Sequence, residues 1–554
     1  MERGKRAACA MLAALFALGA AATGAAAWAE ASAVTNYWTT PAEVKVADDA
    51  LLASLIDERA DGETRITETI NGTSTSYTPA RETYSPADRQ WQGLPSVART
   101  GDRLWAVWYT GGNGEPRQFN YLVIAYSDDG GANWVDPFLI VDHADPEHTG
   151  VNTGVPNFWV DEEGDLCLTY IQYYTWIIRF HDAGAADIGD VTWDEPVRFT
   201  NSKLHKPPTF ITDADGSTVM MIASEAEAGD THTDTTKIFV SADGGQTWQQ
   251  RAYLPSAAPN NRLYPESQIV QTADGTLLLV SRLEKGSGGG IECAYSYDCG
   301  YTWTEYRFNL GEPFIGPGSK FHIMRLASGN LLFVNHSTTS SRSSLYVYLS
   351  EDGGDTWISM PLDTRSDVSY PCAFESDGKV YITWDKGRYL EKEIRLTVLD
   401  EDDIRAGRIV SEGSADKLVV SKLNDEYTDI VELVTQFERE YKLPVGTPSS
   451  RIRDALPESI VVKDNQGNEF TLTGTWRSSG YDENTAGEYT ITFSTTLPAT
   501  LSDTYGLLCV RAVLFEETPS SPGWVLPVCI AGGVVLVGAV IAAVVLVKRK
   551  KHAK

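Results

Sequence analysis

The sequence predicts an all-β fold, a six-bladed β-propeller followed by a small β-sandwich module and one transmembrane helix. Three observations predict it. A turn octamer recurs at a fixed period, short alternating strands flank each copy, and an apolar segment lies near each end of the chain.

The octamer begins at Ser127 (SDDGGANW), Ser241 (SADGGQTW), Ser296 (SYDCGYTW) and Ser350 (SEDGGDTW). Each copy fits Ser-x-Asp-x-Gly-x-Thr-Trp or departs from it at one place. In such a segment the Ser and Asp side chains bond turn amides, a Gly supplies a positive φ, and the Trp packs beneath the turn. The result is a hairpin staple. The tryptophans are Trp134, Trp248, Trp303 and Trp357, and the last two intervals are 55 and 54 residues. The first is 114, and HDAGAADIGDVTW, ending at Trp193, divides it as a degenerate fifth copy. Around the turns the chain alternates as strands do, in RLWAVWYTG, NYLVIAYS, TKIFVSADG, TLLLVSRLE and LYVYLSEDG. One staple per unit of about 55 residues suits a four-stranded propeller blade better than a sandwich. Arg388 to Arg408, through EIRLTVLDEDDI, supplies strand material for a sixth unit without a box, and Trp91 to Tyr109 is expected to close the ring. The propeller is expected over 87–412.

The ends set the compartment. Residues 1–33 have a basic start, an apolar run and small residues at Ala27, Ala29, Ala31 and Ala33, the pattern of a signal peptide. Residues 525–547 are uncharged and long enough to span a bilayer. The basic tail 548–554 follows, which predicts a single-pass cell-membrane protein with the propeller outside and the C-terminus in the cytoplasm.

The chain carries 46 basic and 75 acidic residues, a formal charge of −29, and without the two ends it is more acidic still. That charge excludes nucleic acid as an expected partner, and an anionic substrate would need a local cluster of arginines. Cys293 and Cys299 are spaced to bridge a turn, but five cysteines outside the apolar ends give no disulfide framework. No Cys/His spacing reads as a metal site, and no cofactor is implied.

Residues 34–86 read as a polar lead-in with a short helix. Asp425 to Tyr441 has helical periodicity in Ile430, Leu433, Val434 and Phe437, so 413–448 reads as a linker with a helix. Residues 449–517 alternate again, and TGTW with YDENTAGEYTITF resembles a bacterial Ig-like module, with a stalk role expected.

The box pattern resembles the bacterial exo-α-sialidases (neuraminidases) and their Asp-box, or BNR-repeat, superfamily. The resemblance covers roughly Arg89 to Val410 and implies a sialidase-type propeller whose boxes lie away from the active site. It also implies a tyrosine nucleophile activated by a glutamate, with three arginines on the substrate carboxylate. Tyr370 in DVSYPCAFESDGKVYITW matches the tyrosine, Glu266 in YPESQIVQTADGTLLLVSRLE the glutamate, and Arg282 and Arg342 the second and third arginines. The family's Arg-Ile-Pro triplet is Gly93-Leu94-Pro95 here, so Arg89 is the candidate first arginine, with Arg99 and Arg117 as alternatives. The acid/base position offers Glu115 in place of the family's Asp. Lys206, His205, Lys320 and His322 read as strand-end surface residues or as the lining of a pocket for another acidic sugar. The implied activity is release of terminal sialic acid from sialylated glycans with retention. Two alternatives stand beside it: a hydrolase or lyase on another acidic glycan, and a non-catalytic glycan-binding adhesin.

Overall fold

The computed structural model describes residues 41–56, 66–70, 73–77, 82–117, 119–143, 153–224, 235–255, 266–283 and 290–516. The expected signal peptide, membrane span and basic tail lie outside these residues. Among the described residues no helix is long and apolar enough to cross a membrane. The chain divides into two compact units at Tyr427/Thr428.

The first unit is almost wholly β. Six antiparallel sheets follow one another along the chain, and each contains four strands consecutive in sequence. The first strands of the sheets are Gln92–Thr100, Gly154–Val160, Thr209–Thr212, Ser267–Gln271, His322–Arg325 and Val368–Ser376. The first strand of the first sheet packs against those of the second and sixth, and the first strands of the third to sixth sheets pack each against the next. This arrangement is consistent with a β-propeller. Alternating Val, Ile, Leu and aromatic residues drive it, because both faces of each sheet are covered by neighbours, as the fully buried strands Arg103–Thr110 and Leu166–Gln172 illustrate.

All four boxes occupy the turn between the third and fourth strands of their sheets, in sheets one, three, four and five. In the last, Ser350 Oγ donates to Asp352 Oδ1 at 2.8 Å and accepts from the Gly354 amide at 2.8 Å, while Trp357 Nε1 donates to Gly354 O at 3.1 Å. The first box repeats the set through Ser127, Asp129, Gly131 and Trp134. Gly131 has φ +91°, a conformation that other residues rarely adopt. The degenerate copy holds the same place in the second sheet, with Trp193 against Phe180, but His181 pairs there with Asp165 and Asp194 instead of building the Ser–Asp network. In the sixth sheet the place is taken by a helical turn, Glu401–Ala406.

Three expectations change. The sixth sheet is built from Val368–Ser376, Lys379–Lys386, Glu393–Leu399 and Ala415–Lys422, so its last strand lies beyond residue 412. Residues 91 to 109 belong wholly to the first sheet. The outermost strand is hard to see in sequence because two register shifts break its pairing and Gly413 precedes it. Cys293 and Cys299 do not bridge, since none of the five described cysteines is in a disulfide and Cys293 is buried among apolar side chains.

The lead-in is more ordered than its composition suggests. Ala42–Val46 adds a fifth strand to the first sheet beside Val135–His143, and Asp48 caps a one-turn helix, Asp49–Leu52. Ile66–Ile70 and Thr73–Tyr77 form a hairpin. Further on, buried Glu82 accepts the Gly112 amide at 2.6 Å and so ties the lead-in to the loop carrying Glu115. Burial raises the Glu82 pKa from 4.5 to about 8. A folded-state value above the unfolded one means a contribution fully present below pH 4.5 and lost as pH rises through about 8. Between pH 5 and pH 9 the wild-type melting temperature is therefore expected to fall more steeply than that of Glu82→Gln; identical slopes in thermal melts would remove Glu82 from the account.

The second unit, described to residue 516, is a pair of four-stranded sheets around one apolar core that includes Ile430, Ile460, Trp476, Phe493 and Val510. Thr428–Leu433 and Glu440–Pro444 are strands of these two sheets, and this overturns the helix expected over 425–441. The helical spacing of Ile430, Leu433 and Phe437 is real, and all three meet the core. Thr428, Ile430 and Val431 are β-branched, however, and the main-chain pairing with Ser459–Asp464 outweighs the local pattern.

Candidate functional site

Antiparallel order puts the first-strand beginnings and the turns between second and third strands at one end of the sheets, opposite the boxes. The sixth sheet supplies Tyr370 from its first strand. Pro371 cannot donate to the ladder, the register shifts between Ser369 and Cys372, and Tyr370 takes φ +53°. Leu94-Pro95 and Val155-Pro156 repeat the device, with φ +55° and +54° beside register shifts in the first and second sheets. Such a conformation costs about 1–3 kcal/mol for a non-glycine residue and persists only where packing enforces it.

The kink turns the Tyr370 ring into a cationic cage. Arg342 Nη2 donates to its hydroxyl at 2.8 Å. The Cζ atoms of Arg342 and Arg388 lie 4.6 and 5.0 Å from the ring centroid, and Lys320 Nζ lies at 5.8 Å. Burial raises the Tyr370 pKa and Glu115 adds to this, while Arg342 and Arg282 oppose it.

Glu266 immediately precedes the first strand of the fourth sheet, and Arg282 ends the second. Arg282 Nη1 donates to Glu266 Oε2 at 2.5 Å, and Lys320 Nζ stands 4.0 Å from Oε1. Burial alone would raise the Glu266 pKa, but Arg282 and Lys320 outweigh it and hold the value at about 2. Glu266 is within electrostatic reach of Tyr370 without hydrogen-bonding to it. Glu115, from the turn between second and third strands of the first sheet, meets Arg388 Nη2 at 2.5 Å.

Five sequence candidates thus meet at one end of the sheets: Tyr370, Glu266, Arg282, Arg342 and Glu115. Arg89 does not join them. Its fully buried guanidinium donates to Asp136 on the fourth strand of the first sheet at 3.1 Å. The reason is local: a turn at Pro86–Asp88, capped by Ser85, leaves Arg89 extended and aimed beneath the sheet. Arg99 goes to Asp377 and Asp102, and Arg117 folds onto Asn113 at 3.1 Å.

The guanidinium found instead is Arg388, which sequence reasoning passed over. It lies in a turn of the one sheet without a box, and nothing in KGRYLEKE marks it. Its signal was indirect, a glycine at position 93. Lys206 and Lys320 are also buried, at 4% and 5% exposure, because they lie where the first strands begin and converge. Lys206 Nζ donates to Phe321 O, and burial together with Lys320 lowers its pKa to about 7.

Residues 102–382 match the family model described as a BNR repeat-like domain, and the chain belongs to that family. A sialidase of Bacteroides fragilis strain YCH46 is 28% identical over 200 residues, which cover 33% of this chain and 34% of that protein. The chain thus spans about a third of the curated relative it matches. Among solved structures, the Hadza microbial sialidase Hz136 is 20% identical with a TM-score of 0.42, over 56% of this chain and 67% of that one. A Trypanosoma rangeli sialidase in complex with 2,3-difluorosialic acid is 14% identical with a TM-score of 0.40, over 64% and 60%.

Proposed function

We propose that this chain is a cell-surface exo-glycosidase that releases terminal sialic acid with retention of configuration. The observation that carries the reading is the Tyr370 hydroxyl held by Arg342 within a buried cluster of carboxylates and guanidinium groups. Membership of the BNR repeat family and the partial match to a sialidase support it.

A ketoside bearing its own carboxylate repels a carboxylate nucleophile, whereas a neutral phenol does not carry that penalty. In the first step the Tyr370 oxygen bonds to the anomeric carbon and its proton passes to Glu266. The glycosidic C–O bond breaks as Glu115 protonates the departing oxygen. In the second, water attacks the anomeric carbon, Glu115 takes its proton, and Tyr370 leaves and recovers a proton from Glu266. Arg282 and Arg342 hold the substrate carboxylate. The six sheets act as blades of one closed ring, the second unit as an Ig-like stalk, and 1–33 and 525–547 as signal and anchor.

One observation favours a second reading, a hydrolase or lyase on another acidic glycan. Glu266 at a pKa of about 2 is a weak resting base, and Lys320 stands beside Tyr370. Incubation of the protein with a sialoside, with the product followed by proton NMR, tests both. The α anomer of free sialic acid is expected first. Unchanged sialoside alongside a cleaved uronate polymer would transfer the assignment to the second reading.

A further inference from the structure

Gly93 is the second residue of the first sheet's kinked strand, yet its backbone is not in the left-handed region, so conformation does not require glycine there. Space does. A Cβ atom built on Gly93 would stand 2.4 Å from Arg388 Nε and 2.9 Å from Asp385 Oδ2. Any side chain at 93 and the observed Arg388 therefore exclude each other.

Arg388 is 5% exposed and lies between two rings, with Cζ 5.1 Å from the Trp91 centroid and 5.0 Å from that of Tyr370. Its main-chain oxygen accepts the Gln92 amide at 3.2 Å, which fixes the turn beside the first strand. Neither Nε nor Nη2 completes a hydrogen bond, although both face carboxylates, Asp385 at 3.6 Å and Glu115 at 2.5 Å. Arg282, Arg342 and Arg388 come from the second-to-third-strand side of three successive sheets, so three guanidinium groups approach Tyr370 from neighbouring directions.

We infer that Arg388 is a substrate-contacting residue that takes the sugar's carboxylate, and that Gly93 is retained because it leaves the room Arg388 needs. The inference rests on the reading of this site as one for acidic sugars, and it adds the residue that recognises the acid. A planar fork with unbonded N–H groups pairs with a carboxylate in two-point fashion, which a lysine cannot reproduce.

The test measures binding of the sialic acid glycal and of its methyl ester, which lacks the charge, by calorimetry. Wild type is expected to prefer the acid, and Arg388→Gln to lose roughly 10- to 100-fold affinity for the acid with little change for the ester. Gly93→Ala is expected to give the same selective loss by pushing the guanidinium aside, and it reads the same quantity should Arg388→Gln fail to fold. Gly93→Arg combined with Arg388→Gly is expected to recover part of the preference that each change alone destroys. If wild type prefers the acid and both Arg388→Gln and Gly93→Ala keep that preference, the assignment of Arg388 falls and the sialidase reading stands. If wild type ignores both sialic acid probes but prefers an unsaturated glucuronic acid to its ester through Arg388, the sialidase reading falls and the assignment stands. Equal affinity for acid and ester in both sugars overturns the two together.

Discussion

Tyr370→Phe is expected to lower kcat for sialoside hydrolysis by roughly 10³-fold or more while leaving the fold intact. The ring, its kinked backbone at φ +53° and its packing beneath Arg342 and Arg388 are kept, and only the hydroxyl is lost. With it goes the 2.8 Å hydrogen bond from Arg342, whose guanidinium also donates to Gly318 O at 3.3 Å. Melting temperature is therefore expected to move little. KM is expected to change less than kcat, because the arginines proposed to hold the substrate carboxylate remain. Rapid-quench measurement with a fluorogenic sialoside gives the direct comparison. A variant that turns over as fast as wild type would show that the phenol forms no bond to sugar, and the retaining scheme would go with it.

Asp385→Ala is expected to give the largest loss of stability, about 3–5 kcal/mol. Asp385 is fully buried on the second strand of the sixth sheet and binds across to the first. It accepts the Leu94 amide at 2.9 Å and the Ser369 hydroxyl at 2.5 Å, and it faces Arg388. The alanine would leave that amide without its acceptor and take a buried carboxylate from beside the guanidinium, which costs more than the net worth of the bonds themselves. Burial raises the Asp385 pKa to about 6, against Arg388 and Ser369, which lower it. Asp385→Asn keeps an oxygen for the amide and is expected to lie between wild type and alanine in thermal melts. Equal transitions for all three would show that the first and sixth sheets hold together without this residue.

Much of the first unit was legible because its signals are local. A Ser-x-Asp-x-Gly-x-Thr-Trp turn bonds to itself, so four tryptophans fix a period without reference to the rest of the chain. The strand at 415–422 was not legible, since its pairing is irregular and its register belongs to its neighbour. The helix expected over 425–441 failed for a related reason: apolar residues at helical spacing also suit a strand and the bend after it, and the partner 459–464 decides. Tyr370, Glu266, Arg282 and Arg342 could be placed by their order relative to the boxes. Arg89 could not, because closeness in sequence to Gly93 says nothing about where a capped turn aims a side chain. Arg388, nearly three hundred residues from Gly93 in the chain, reaches that spot only once the sixth sheet lies beside the first.

The kinks at Leu94, Val155 and Tyr370 are one backbone form used three times, each before a proline, and a phenol stands on only one of them. The bend that presents the Tyr370 hydroxyl thus recurs in three of the six sheets and does not depend on the phenol it carries. A reactive side chain at this end of the molecule needs no loop of its own. It needs a substitution at a position that the architecture already turns inward, and two such positions are held by aliphatic residues.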